Sequence, residues 1–80
     1  MNHICISGKV SGEIVSDIDR NMPCTTFTIK NIYHSDKTNL IHTSYIRCIA
    51  YGGLAEYCYN ELYEGASILV TGRILNRTYV

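Results

Sequence analysis

Hydrophobic and polar residues alternate one by one near the start of the chain. Ile4, Ile6, Gly8 and Val10 take one parity, and Cys5, Ser7 and Lys9 take the other. A strand sends successive side chains to opposite faces, so the pattern predicts a half-buried first strand. Gly8 falls where a barrel strand bends or bulges. The alternation is expected to carry the strand on through Ile14 and Val15. Residues 16–23 (S-D-I-D-R-N-M-P) are polar and hold Asp, Asn and Pro, the composition of a turn. Residues 25–33 (T-T-F-T-I-K-N-I-Y) are rich in β-branched and aromatic side chains and read as a second strand. A polar loop, residues 34–39, separates it from a third strand over residues 41–51.

The third strand has two unlike faces. Ile46, Cys48 and Ala50 form an aliphatic side that packs inward, while Tyr45, Arg47, Ile49 and Tyr51 place two tyrosines around an arginine on the other. Gly52-Gly53 breaks this strand. Leu54, Cys58 and Leu62 then recur at i, i+4 and i+8, a helical stripe with Glu56, Asn60 and Glu64 on the wet side. Gly65 is placed to end the helix in a left-handed conformation. Tyr57, Tyr59 and Tyr63 read as packing or rim residues of that helix. Residues 67–79 form a fourth strand. Ile68, Val70, Gly72 and Ile74 point one way, and Leu69, Thr71, Arg73, Leu75, Arg77 and Tyr79 the other.

The order strand-strand-strand-helix-strand predicts a mainly all-β chain. It is the order of an OB-fold, a Greek-key β-barrel, with its helix between strands 3 and 4. Residues 1–80 are expected to form a single domain. That fold closes with a fifth strand, which is either missing or supplied by another subunit. An unpaired strand edge invites pairing with another chain, so a homo-oligomer is expected.

Composition narrows the function. Seven Lys plus Arg balance seven Asp plus Glu, which argues against a strongly basic nucleic-acid binder while allowing a local basic face. Cys5, Cys24, Cys48 and Cys58 include no C-x-x-C pair, and His3, His34 and His42 supply no zinc spacing. The cysteines read as small buried hydrophobes in a reducing compartment. With no signal peptide or long apolar run, a cytoplasmic protein is expected, or one of the nucleoid or an organelle matrix. No nucleophile elbow, phosphate loop or metal cluster is present, so neither an enzyme nor a cofactor is expected.

Three segments carry a family resemblance: Y-I-R-C-I-A-Y-G-G-L-A-E, then L-Y-E-G, then I-L-V-T-G-R-I-L-N-R-T-Y. In their combined order and spacing they resemble the bacterial single-stranded DNA-binding protein family over nearly the whole chain, in a short form without the last barrel strand or the acidic C-terminal tail. The resemblance implies aromatic side chains that stack on bases at four places, matched here by Tyr33, Tyr45, Tyr51 and Tyr79. It also implies a dimer or tetramer. Two family features are replaced: the interface histidine after the third-strand aromatic is Ile46, and the basic residue of the F-G-[KR] motif is Gly53.

The expected function is sequence-independent binding of single-stranded DNA. Tyr33, Tyr45, Tyr51 and Tyr79 would stack on bases, and Lys9, Lys30, Arg47, Arg73 and Arg77 would meet phosphates. Interleaved aromatics and cations on one sheet face suit that ligand. The alternative is a protein-interaction module, SSB-like or primosome-like, with weak or no DNA binding, which the zero net charge would fit.

Overall fold

The computed structural model describes residues 3–17 and 21–74. Five strands and one helix follow in the order β1 (Ile4–Val10), β2 (Val15–Asp17), β3 (Cys24–Ser35), β4 (Leu40–Tyr51), α1 (Gly53–Glu61) and β5 (Ser67–Gly72). All strand pairs are antiparallel. β3 is central. β4 pairs along its whole length from Cys24↔Tyr51 to Ser35↔Leu40, and β2 and β1 share its other edge. β5 adds to the far side of β1. Among the described residues β4 and β5 each keep one unpaired edge.

The predicted first strand is two strands in the structure. β1 ends at Val10, and Gly12 at φ +84° turns the backbone before Val15 starts β2 against Thr26. Gly8 sits where β1 presses on β3. A Cβ there would lie 2.5 Å from the Ile29 side chain and 2.5 Å from the Lys30 carbonyl oxygen, so a side chain is excluded by crowding. Beyond this point β1 turns from β3 towards β5, and the Asn31 amide donates to the Ser7 carbonyl at 2.7 Å across the divergence.

The inward parity of the strands builds the core. Phe27, Ile29 and Ala50 are buried, and α1 brings Ala55 and Cys58 over them, while Val10 is buried at the end of β1. The buried Thr25 hydroxyl donates to the Ala55 carbonyl at 2.7 Å and ties helix to sheet. This corrects two expectations. The helix's buried face is Ala55 and Cys58, with Leu62 partly covered, whereas Leu54 stays 61% exposed. Gly65 does not cap the helix either. α1 ends at Glu61 with Leu62 already extended, and Gly65 at φ +91° turns the chain into β5 while donating to the Val10 carbonyl. The left-handed conformation was legible there, but it serves a loop.

The cysteines divide as well. Cys58 is buried and Cys24 and Cys48 are half-buried, but Cys5 is exposed on the outward parity of β1; all four are free thiols. Burial pushes the Cys48 and Cys58 thiols above the ordinary value, and Cys58 adds to the effect at Cys48.

The outer halves of β3 and β4 project as a two-stranded ribbon. β1 pairs only with Lys30 and Ile29 of β3, so residues 31–35 and 40–44 have only each other as ladder partners. The radius of gyration, 14.3 Å, exceeds the about 12 Å of a compact chain this long. No helix among the described residues is long and apolar enough to cross a membrane.

Candidate nucleic-acid interface

Ladder partners share a sheet face, so the pairing places each candidate residue. Lys9 pairs with Lys30, and Lys30 with Tyr45. These three form one row across β1, β3 and β4 on the outward face. Thr28 with Arg47, Thr26 with Ile49 and Cys24 with Tyr51 follow in successive rows of the same face. Tyr45 is 63% and Tyr51 42% exposed. A depression of about 280 Å³ beside Tyr51 is lined by Arg47, Ile49, Thr26, Cys24, Val15 and Asp17.

The cations of this face are available for a ligand. Among the described residues Lys9, Lys30, Arg47 and Arg73 form no ion pair; the close acid–base contact is His34 with Asp36 at 3.5 Å, on the turn between β3 and β4. Lys9 and Lys30 are directly opposed like charges, an arrangement that costs stability unless an anion sits between them. Arg73 follows β5 and stands apart from this row; with Arg47 it lines the groove described below. Arg77 and Tyr79 lie outside the described residues.

Tyr33 does not join the outward face. Its partner is His42, on the parity of Ile46, Cys48 and Ala50, so it lies on the reverse side of the ribbon from Tyr45. The Tyr33 and His42 rings stack with centroids 4.9 Å apart and planes 18° from parallel. Sequence reasoning missed His42, because its neighbour exists only once the hairpin register is set.

A second concavity, of about 1050 Å³, lies between the unpaired edges of β4 and β5 and the helix. Ile46, Cys48, Tyr57, Leu62, Ile68 and Val70 are among the residues lining it. No cluster of potential metal ligands occurs among the described residues.

A model of the Single-strand binding protein family matches residues 1–80. The chain belongs to that family. Among its relatives is a single-stranded DNA-binding protein of Caldanaerobacter subterraneus subsp. tengcongensis, 31% identical over 81 residues. The match covers 99% of this chain and 54% of that protein, so the chain spans about half the length of its curated relative. The crystal structure of a small single-stranded DNA-binding protein from Streptomyces coelicolor has the same fold. Its TM-score is 0.69 at 24% identity, over 98% of this chain and 74% of that one. The open antiparallel sheet with its single helix is thus the OB-fold of the Single-strand binding protein family. The large concavity is the open side of its barrel.

Proposed function

We propose that this chain binds single-stranded DNA without sequence preference, as a binding domain and not an enzyme. The observation that carries the reading is the outward face. It sets exposed Tyr45 and Tyr51 around Arg47, with Lys9 and Lys30 in the row of Tyr45. Every base offers a π-face to a tyrosine, and each phosphate offers a charge to a lysine or arginine, so neither contact reads sequence. Membership of the Single-strand binding protein family and the name of the Caldanaerobacter relative support the same ligand. Arg73 would extend the cationic surface along the mouth of the groove. Arg77 and Tyr79 are proposed as further contacts on the strength of the family resemblance.

A second reading keeps some support. The groove between β4 and β5 offers two unpaired strand edges and exposed Leu54, Tyr57 and Tyr63, the surface of an assembly module. We propose that this surface joins copies into a dimer or tetramer in the DNA-binding protein. If DNA binding is absent, the groove is the functional site.

The test is a fluorescence-anisotropy titration of labelled oligo-dT at low and moderate salt. Binding should weaken as salt rises, because phosphate contacts release counterions. Tyr45→Ala and Tyr51→Ala should each lose about 1 kcal/mol, the lower end of base stacking on an aromatic side chain. A folded protein that binds no oligo-dT at low salt would overturn the proposal in favour of the assembly module.

A further inference from the structure

Three strands build the depression beside Tyr51 on the outward face. Cys24 of β3 has Asp17 of β2 as its partner on one side and Tyr51 of β4 on the other, so these three make one row. Val15, Thr26 and Ile49 make the next, and Arg47 borders the far end. Half-buried Cys24 and Thr26 form the floor. The side chains of β2 and β4 stand as walls on backbones about 10 Å apart, two strand spacings. The space of about 280 Å³ lies below the about 300–1,000 Å³ of pockets for drug-sized molecules and suits one planar ring.

Stacking and phosphate contacts leave one residue of this depression, Asp17, without a part. A carboxylate repels phosphates, so a strand lying on this face turns a base toward Asp17 and keeps its backbone nearer Lys9, Lys30 and Arg47. An ionised carboxylate only accepts hydrogen bonds, and it accepts best from two N–H groups side by side. Asp17 has an interaction within the protein, and its about four lone-pair sites keep acceptor capacity beyond it. Guanine offers two adjacent donors on its pairing edge, N1–H and the N2 amino group. Cytosine and adenine each offer one amino group next to a ring nitrogen that accepts. Thymine offers a single N–H between two carbonyl oxygens, which a carboxylate repels.

We propose that this depression reads one base of the bound strand, and that the Asp17 carboxylate makes guanine the preferred base there. Tyr51 supplies the wall against which the ring lies, and Asp17 accepts from N1–H and the N2 amino group. The inference rests on the DNA-binding reading above and adds to it. Contacts elsewhere on the face stay indifferent to sequence, and a bias arises at one position alone. Asp17 belongs to the polar stretch read from sequence as a turn; only the register of β2, β3 and β4 brings it into the row of Tyr51.

The experiment measures the anisotropy of labelled dT strands of about 8 nucleotides, within the range a single OB-fold occupies, with one dG moved along the strand. A second series carries deoxyinosine, which lacks the N2 amino group. The wild type should bind the best-placed dG strand about five- to tenfold tighter than plain dT, the lower range for a bidentate base contact. Deoxyinosine at that place should lose most of the gain, a comparison that needs the wild type alone. Asp17→Asn, checked for fold by circular dichroism, should bring the dG strand within about twofold of dT. It should also bind plain dT somewhat tighter, because the repulsion of thymine carbonyls is gone. A wild type that binds dT strands and gains nothing from dG at any place overturns the base preference alone. So does a gain that deoxyinosine or Asp17→Asn keeps in full, which would put the contact elsewhere. A folded wild type that binds no strand removes the DNA-binding reading, and the base preference with it.

Discussion

Lys9 and Lys30 are the pair of side chains at which stability and the proposed DNA binding would meet. They face each other across β1 and β3 with no acid between them among the described residues. Replacing either by Ala should raise the unfolding free energy by about 0.2–1 kcal/mol, read from urea melts. The same change should lower the slope of log affinity against log salt by about 0.7 for each phosphate that goes unneutralised. A variant that gains stability but keeps its salt slope would place no phosphate at that lysine. The thiols make a different prediction. Cys48 and Cys58 titrate above the ordinary thiol value because burial disfavours the thiolate. A raised value in the folded state means that their contribution is fully present below about pH 9.0 and is lost as pH rises further. Stability should therefore fall on the alkaline side, and Cys48→Ala should shallow that fall in melts taken between pH 8 and pH 11.

Among the elements, the β1–β3 crossing is the tightest joint. Gly8→Ala would drive a methyl against the Ile29 side chain and the Lys30 backbone, and backbone has little room to move. We expect a loss of about 1–3 kcal/mol, the usual cost of overpacking, measured by chemical denaturation. Because Lys9 and Lys30 flank this joint, DNA affinity should fall with it. The elements themselves were largely legible. Alternation identified β1, β3, β4 and β5, and the double glycine marked the passage from β4 to α1. Val10 closing β1 was not legible, because the apolar parity continues to Ile14 while the backbone turns at Gly12. The buried face of α1 was not legible for a related reason. Leu54, Cys58 and Leu62 have helical spacing, but the sheet meets the helix at Ala55 and Cys58, where small side chains allow close approach.

For the whole molecule, the open side of the barrel is the dominant feature. Two unpaired strand edges flanking an apolar groove predict self-association, so sedimentation velocity should find a dimer or larger species; a monodisperse folded monomer would contradict this. Much of the molecule follows from its residues taken locally. The inward and outward faces of β4, the tyrosine–arginine interleaving and the family motifs are all properties of neighbouring positions, and a strand's period of two is enough to sort them. What lay beyond local reading is how those faces meet. A shift of one residue in a ladder exchanges its faces, so the turn at residues 36–39, through the register it sets, puts Tyr33 with His42 and Lys30 with Tyr45. The Lys9–Lys30–Tyr45 row and the Tyr33–His42 stack exist only after that long-range choice has been made.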